Sequence, residues 1–158
     1  MKAIILSAGR GLRLMPITKN TPKPLVKVGK QTLLERNITL LYQSGITEII
    51  VNGSWLGEQI ESFISNIQLE GLKLHYLYEG SEPLGTAGAI YNAMDCNLLL
   101  NENFWLVNSD IITDFSLPNI SLLNNRVGHL ILVPNPEHNP NGDFGLRSDQ
   151  VLNESIEM

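Results

Sequence analysis

The stretch LSAGRGLRLMPITKNTPKPLV, residues 6–26, combines glycines, cations and spaced prolines in one segment. It follows a short apolar run, which is typical of a buried strand that leads into a loop. Gly9 and Gly11 permit a backbone that turns successive N–H groups towards phosphate oxygens. Arg13 can bind a phosphate in bidentate fashion, and Lys23, between two prolines that restrict its backbone, can place one charge on a phosphoryl group. The segment therefore predicts a binding loop for a nucleoside triphosphate.

Two other classes of glycine loop are disfavoured. A Walker loop requires Gly-Lys-Ser/Thr, and no such tripeptide follows Gly11. The dinucleotide fingerprint requires a glycine where Leu14 stands and an acid where Asn52 ends the second predicted strand. A dinucleotide-dependent oxidoreductase is therefore a poor match. For the glycines alone, an ordinary tight turn remains the alternative.

Charge is distributed unevenly along the chain, whose net charge is -5. Residues 1–36 carry eight of the eleven Lys and Arg and one acid, whereas residues 37–158 carry three cations and fifteen acids. A local cationic field on an acidic body suits a small polyanion better than DNA, which usually requires a broad basic face. Nucleic acid is therefore not an expected partner, although a solvated basic loop would show the same charge pattern.

The composition predicts one cytoplasmic domain over residues 1–158. A chain of 158 residues is long enough for one core and too short for two ordinary domains. The lone Cys96 excludes an internal disulfide. No apolar run approaches a membrane span, and the apolar stretch at the start is shorter than a signal peptide requires. The three histidines lack the spacing of metal ligands.

Apolar patterns predict alternating strands and helices, and thus an α/β fold with a Rossmann-like, doubly wound, mostly parallel sheet. Strands are predicted at 3–7, 47–52, 72–78, 104–110 and 128–135, with two short strands in 143–153. Helices are predicted from Thr32 to a C-cap at Gly45, from 60 to a stop near Gly71, at 86–95 and at 116–125. Ligands of such sheets bind at the carboxyl ends of the strands. The cationic loop (residues 6–26), residues 79–86 and Asp110 should therefore converge.

At four places, in order, the sequence resembles the sugar-1-phosphate nucleotidylyltransferases. AGRGLRLMPIT followed by TPKPL is similar to the signature of that family. EPLGTAGA (82–89), LVNSD (106–110) and NPNGDFGL (139–146) resemble its base-contacting loop, metal-binding strand end and sugar-side hairpin. The resemblance implies a nucleotide-diphospho-sugar transferase fold. It also implies an enzyme that joins a sugar 1-phosphate to a nucleoside triphosphate with Mg²⁺ and releases pyrophosphate.

The resemblance also implies roles for individual residues. Arg13 should stabilise the departing pyrophosphate, Lys23 should lie against the phosphates, and Asp110 should bind Mg²⁺. Asp114 and Asp143 are candidates for contact with the sugar phosphate, with a solvated acid and a turn aspartate as the respective alternatives. The nucleotide-binding residues are expected to be Gly9, Gly11, Leu12, Arg13, Lys23, Gly80, Gly85 and Thr86.

The base-contacting loop does not distinguish guanine from uracil. Glu79 or Glu82 could accept a hydrogen bond from a ring N–H, which both bases offer. Thr86 could instead serve only as a helix N-cap.

Within the family, VNGSWLGEQIESFI, LVNSDIITDF and NPNGDFGL look most like N-acetylmuramate α-1-phosphate uridylyltransferases. EPLGTAGA looks more like the mannose-1-phosphate guanylyltransferases, and the glucose-1-phosphate thymidylyltransferases are a third match. We therefore expect UTP or GTP as the nucleotide, with UTP and N-acetylmuramate 1-phosphate as the first choice.

The sequence departs from the family pattern at its end. The family's second metal-binding aspartate lies in a later D-x-G-T segment, and a sugar-contacting glutamate lies further on; neither is present. The resemblance therefore implies a form truncated at the C-terminus. A module that binds nucleotide without turnover is the alternative to an active enzyme.

Overall fold

The computed structural model describes residues 1–118 and 127–152. The chain divides into two compact units, Met1–Asn119 and Ile120–Met158. The first unit contains the α/β layers, and the second contains a short hairpin. The expectation of one domain over residues 1–158 stays a prediction.

Four strands of the first unit form one parallel sheet in the order β5-β4-β1-β6. Each strand is short and rich in apolar side chains, as expected for a sheet covered on both faces. The strands are β1 (Lys2–Leu6), β4 (Glu48–Gly53), β5 (Lys73–Tyr78) and β6 (Phe104–Asn108).

Helices cover both faces of this sheet. On one face, α1 (Leu33–Gln43) and α2 (Gly57–Ser65) pack against alternate residues of β1 and β4. On the other face, α3 (Gly85–Asp95) contributes Ala89 and Ala93 to a second cluster with Ile4 and Ile50. The predicted doubly wound α/β fold with a parallel sheet is therefore confirmed.

The start of α1 is fixed by local sequence. The Thr32 side chain accepts a hydrogen bond from the Glu35 N–H at 3.0 Å, and the Glu35 side chain accepts from the Thr32 N–H at 3.4 Å. This is a capping box, which satisfies two N–H groups that the helix itself leaves free. The helix is capped at Ser44 and followed by Gly45 at φ 83°, where glycine is favoured.

The segment predicted as loop between residues 8 and 30 contains three short 3-10 helices and part of a small hairpin. Prolines lie beside the second and third of these helices, where they fix the backbone. The helices are Leu12–Leu14, Ile17–Lys19 and Lys23–Leu25, and the hairpin strands are β2 (Lys27–Val28) and β3 (Gln31–Thr32).

Two predictions about secondary structure were wrong. The second helix ends at Ser65 rather than near Gly71, which lies in the turn before β5. Residues 128–135 form no strand in the described structure, although their sequence is apolar. A strand exists only where another strand supplies its hydrogen bonds, and no described strand pairs with this segment.

The second unit contains the predicted pair of short strands, β7 (Gly145–Arg147) and β8 (Gln150–Leu152), which pair antiparallel. Most of the helix predicted at 116–125 lies outside the described residues. Within the part of the chain that the structure describes, no helix has the length and apolar character needed to cross a membrane.

Candidate active site

A cavity of about 470 Å³ opens at the carboxyl ends of the parallel strands in the first unit. Three segments that the sequence analysis expected to converge meet here. The predicted site residues among its lining are Gly9, Lys23, Gly85, Thr86 and Asp110. A larger groove, of about 830 Å³, lies between α1 and α2, but its lining includes two glutamates and no cation. The smaller cavity is therefore the better site for a polyanion.

Lys23 and Asp110 form an ion pair within this cavity. Lys23 begins the third 3-10 helix, and the prolines on either side of it are buried, so its backbone is fixed by packing. Asp110 follows β6 and keeps 42% of its side chain exposed. The two groups face the space that a ligand would enter, and each is available to exchange its partner for a phosphate or a cation.

Gly11 packs closely against Thr18 and Lys23, which lie later in the same loop. Its φ of 64° lies in the left-handed region, and its carbonyl accepts a hydrogen bond from the Thr18 hydroxyl at 2.8 Å. A Cβ at this position would lie 2.9 Å from Thr18 Cγ2 and 3.1 Å from Lys23 Cβ. By contrast, a Cβ at Gly9 would meet nothing within 4 Å. Gly9 thus leaves open space where a ligand can approach the backbone.

A buried polar network connects the strand ends below the cavity. The Ser7 N–H donates to Asn52 Oδ1 at 2.6 Å, and Asn52 Nδ2 donates to Glu79 Oε1 at 2.7 Å. The Leu84 N–H donates to Glu79 Oε2 at 3.0 Å. Asn52 and Glu79 are 2% and 8% exposed, so these bonds satisfy groups that are costly to leave unpaired.

The sequence analysis did not predict this network. From the sequence, Glu79 is expected only as a base contact, and Asn52 serves only as evidence against a dinucleotide site. One signal was available, because polar residues stand at the carboxyl ends of the predicted strands, at Ser7, Asn52 and Glu79.

The start of α3 differs from the predicted cap. The N-cap is Leu84, which makes no side-chain capping bond, and Thr86 lies inside the first turn. The proposed role of Thr86 as N-cap was therefore wrong. The carboxylate of Glu79 binds the N-cap N–H instead. Gly85 and Thr86 line the cavity, so the start of this helix lies at its wall, and the positive end of a helix dipole favours anions.

A second polar contact lies at the exposed side of the site. Arg10 forms an ion pair with Glu82 at 2.5 Å, and its guanidinium carbon lies 5.8 Å from the ring centroid of Trp55. Trp55 Nε1 in turn donates to the Thr18 carbonyl at 3.2 Å. The glycine loop is thus tied to the segments that follow β4 and β5.

The remaining predicted site residues do not line the cavity. Leu12 and Arg13 are exposed on the first 3-10 helix, and Gly80 follows β5 at φ 88°. Asp114 is exposed beyond Asp110 in the chain. Their predicted roles stay predictions.

Asp143 belongs to the second unit, where its Oδ1 accepts from Asn139 Nδ2 at 3.1 Å. This contact matches the turn aspartate that the sequence analysis gave as the alternative for Asp143. Its role in binding a sugar phosphate stays a prediction.

The carboxylates of the site bear on the expected Mg²⁺. The described residues contain no group of three or more His, Cys, Asp or Glu arranged to hold a metal. In the cavity, both oxygens of Glu79 already accept hydrogen bonds, whereas the Asp110 carboxylate is exposed beside Lys23. Mg²⁺ is commonly bound by one or two carboxylates together with substrate phosphates and water. The donor set thus fits an ion that arrives with a triphosphate.

The fold and the cavity together define a class: α/β proteins with a ligand-sized cavity at the carboxyl ends of parallel strands, where ligands of such sheets bind. The chain belongs to the nucleotidyl transferase family, whose model, described as "Nucleotidyl transferase", matches residues 2–147. Curated relatives include uridylyltransferases and guanylyltransferases, so this is a family of enzymes.

Individual relatives support the same assignment. The chain is 40% identical to N-acetylmuramate alpha-1-phosphate uridylyltransferase of Neisseria meningitidis, a match that covers 99% of this chain and 69% of that protein. It is 35% identical to mannose-1-phosphate guanyltransferase beta-B of Xenopus laevis over 73% of this chain and 32% of that protein.

A solved structure has a similar fold. The structure of HddC from Yersinia pseudotuberculosis complexed with GMP-PN matches with a TM-score of 0.58 and 33% identity. The match covers 69% of this chain and 47% of HddC. The chain thus spans about two thirds of the Neisseria protein and less than half of the other two.

Proposed function

We propose that this chain carries the nucleotide site of a sugar-1-phosphate nucleotidyltransferase. The proposed reaction transfers a nucleotidyl group from a nucleoside triphosphate to a sugar 1-phosphate and gives an NDP-sugar and pyrophosphate. The observation that carries the proposal is the ion pair of Lys23 and Asp110 in a cavity that Gly9 and the start of α3 also line. Membership of the nucleotidyl transferase family supports it.

The proposed step needs little acid–base chemistry. An ionised oxygen of the sugar 1-phosphate attacks the α-phosphorus and forms a new P–O bond. The bond from the α-phosphorus to the oxygen bridging to the β-phosphate breaks, and pyrophosphate leaves with the electron pair. Because the nucleophile is already ionised near neutral pH, no general base is required. Catalysis then consists of positioning and charge neutralisation.

Each group has a place in this scheme. The backbone N–H groups of the glycine loop and of the α3 start hold phosphate oxygens. Lys23 exchanges Asp110 for the α-phosphate, where it neutralises charge that develops as the phosphorus is attacked, and Arg13 acts on the departing pyrophosphate. Asp110 and the phosphates would hold Mg²⁺, which when bound neutralises phosphate charge.

For the substrates we propose UTP and N-acetylmuramate 1-phosphate, which places the reaction in the recycling of cell-wall sugars in the cytoplasm. The support is the 40% identity to the Neisseria uridylyltransferase over 99% of the chain. The Asn52 amide and the Glu79 carboxylate are fixed by their own hydrogen bonds beside the cavity, so they offer a rigid wall to a base. A preorganised wall discriminates between bases at a low entropic cost.

A second candidate is transfer of GMP to mannose 1-phosphate. It is supported by 35% identity to the Xenopus guanyltransferase, over a smaller share of the chain. Glu79 is compatible with this candidate as well, because each of its oxygens keeps a second lone pair and guanine presents neighbouring N–H donors to a carboxylate.

The test is pyrophosphate release by the 158-residue chain with Mg²⁺. UTP, GTP and dTTP are each combined with N-acetylmuramate, mannose and glucose 1-phosphates. Release with UTP and N-acetylmuramate 1-phosphate, lost in Lys23→Ala, is the expected result. Release with GTP and mannose 1-phosphate would favour the second candidate. Triphosphate binding without release under any combination would contradict turnover by this chain and leave a binding module.

A further inference from the structure

A buried amide on α1 lies behind the Asp110 segment. Asn37 is 2% exposed, and its Nδ2 donates to three carbonyl oxygens. One belongs to Leu33 of the same helix, at 2.9 Å. The others belong to Ser109 and Ile111, both at 3.1 Å. Asn37 therefore binds the carbonyls on either side of Asp110 without touching the carboxylate.

The same segment is held from two further directions. The Ser109 N–H donates to the Leu6 carbonyl at 3.1 Å, which continues the pairing of β6 with β1. The Ile111 N–H donates to the Asn108 carbonyl at 3.3 Å and closes a turn. Asp110 lies within this turn, and its side chain is directed to the cavity rather than used to hold the turn. The amide of Asn37 adds tertiary contacts to the carbonyls of the residues immediately before and after Asp110.

Packing alone does not explain an asparagine at this position. The neighbouring buried residues of α1 are Leu34, Ile38 and Leu41, which form the core with the sheet. Asparagine is a weaker helix former than leucine, because its side chain competes for backbone hydrogen bonds. A leucine would bury more apolar area but would leave the carbonyls of Ser109 and Ile111 without this donor. Ser109 is buried, and a buried carbonyl that loses its donor destabilises the conformation that buries it, whereas the Ile111 carbonyl, on an exposed residue, can turn to water instead.

We propose that Asn37 is a positioning residue for Asp110: through the carbonyls of Ser109 and Ile111 it fixes the turn that presents this carboxylate to a metal–nucleotide complex. This inference rests on the proposed function for the role of Asp110. Partners behind a metal ligand typically change metal affinity by about 10–100-fold when they are removed.

The variant that tests the proposal is Asn37→Leu, which matches the shape of asparagine closely and removes the donor. Its control is Leu41→Ala, which removes a buried contact from the same helix but no hydrogen bond. Thermal unfolding gives the midpoint temperature of each variant. The two readouts below are then measured at the same number of degrees below each variant's own midpoint, so that a difference in stability does not explain a difference in the readout.

The first readout is amide hydrogen exchange over residues 108–112, which does not depend on activity. Asn37→Leu is expected to raise exchange at Ser109 and Ile111 relative to the rest of the sheet, whereas Leu41→Ala is not. Unchanged exchange at these amides in Asn37→Leu would overturn the proposal. Raised exchange in a chain that releases no pyrophosphate would contradict the proposed function and leave the tethering of the turn intact.

The second readout is the affinity of the protein–UTP complex for Mn²⁺, measured by water-proton relaxation. Asn37→Leu is expected to weaken Mn²⁺ binding by about tenfold. In an Asp110→Asn background the same change should have no further effect, because Asn37 acts through Asp110. An equal loss in Leu41→Ala, or a full additional loss in the Asp110→Asn background, would show that Asn37 has only a structural role.

Discussion

Lys23 and Asp110 lie 87 residues apart in the chain and form an ion pair at the wall of the candidate site. Their side chains are 31% and 42% exposed, so solvent screens the pair and its net contribution to stability is small. In the free protein each group neutralises the other. Under the proposed function, binding of a triphosphate with its metal is expected to separate them, with Lys23 turning to phosphate and Asp110 to the cation.

Because of this expected exchange of partners, removing the charge of Asp110 should have opposite effects on nucleotide binding and on turnover. Asp110→Asn should tighten UTP binding measured without metal by up to about fivefold, because Lys23 then offers an unpaired charge. The same variant should lower Mg²⁺-dependent pyrophosphate release by roughly 10²–10³-fold, because charge stabilisation at the phosphates is lost. Calorimetry and a release assay measure the two effects. Lys30→Ala, an exposed lysine in the same cationic stretch, is the control and should change neither.

Gly11 is expected to matter for both stability and binding. Gly11→Ala places a Cβ in the left-handed region and within 3.1 Å of Lys23 Cβ. Gly29 has a similar φ of 69° but open space around its Cβ position. Gly11→Ala should therefore lower the free energy of unfolding, measured by urea titration, by about 1 kcal/mol more than Gly29→Ala. Of the two substitutions, only Gly11→Ala should weaken UTP binding. Equal effects of the two substitutions would show that Gly11 does not position Lys23.

Gly9 should matter only to the ligand. A Cβ there meets no atom of the protein within 4 Å, and the residue lines the cavity. Gly9→Ala should keep the free energy of unfolding within about 0.5 kcal/mol of wild type. UTP binding should weaken on the order of tenfold, about 1.4 kcal/mol, because the methyl group fills space that phosphate needs. Unchanged UTP affinity in a normally stable variant would place the phosphates elsewhere.

Tyr76 provides a test of the core at alkaline pH. Its hydroxyl is buried and has no hydrogen-bond partner in the described structure, and burial, followed by the charge of Glu61, raises its pKa from 10.0 to about 12. Below pH 10 both states keep this proton. Between about pH 10 and 12 the unfolded chain loses the proton and the folded protein retains it, so wild type loses stability as pH rises.

Tyr76→Phe should remove that part of the alkaline loss. At pH 7 the substitution should be neutral or stabilising by up to about 1 kcal/mol, because it removes an unsatisfied buried hydroxyl. Urea titrations of wild type and Tyr76→Phe at pH 7 and across pH 10–12 measure both effects, and the other three tyrosines contribute equally to the two proteins. A loss of more than about 1 kcal/mol at pH 7 would mean that the hydroxyl has a partner.

The parallel sheet and its helices could be predicted because their signals are local. The apolar runs that become β1, β4, β5 and β6 are short and bounded by turn residues, and the capping box at Thr32 marks the start of α1. Local signals also placed Asp110 next to the glycine loop, since parallel strands end at the same edge.

Features that depend on pairing between distant segments could not be predicted. Residues 128–135 have strand-like composition, but composition does not state whether a partner strand is present. The bond between Asn52 and Glu79 requires the register in which β4 pairs with β5, where Asn52 lies opposite Leu77. The bonds of Asn37 require α1 to lie behind the end of β6, which no pattern within α1 encodes.

The proposed site directs attack at the α-phosphorus, so the fate of that phosphorus is the first thing to measure. The chain is incubated with Mg²⁺, N-acetylmuramate 1-phosphate and UTP labelled with ³²P at the α-position, and the products are separated. The label should appear in a nucleoside diphosphate sugar, with one pyrophosphate released for each label transferred, and Lys23→Ala should abolish the transfer. Recovery of the label only in UMP, or only in bound and unreacted UTP, would contradict nucleotidyl transfer by this chain.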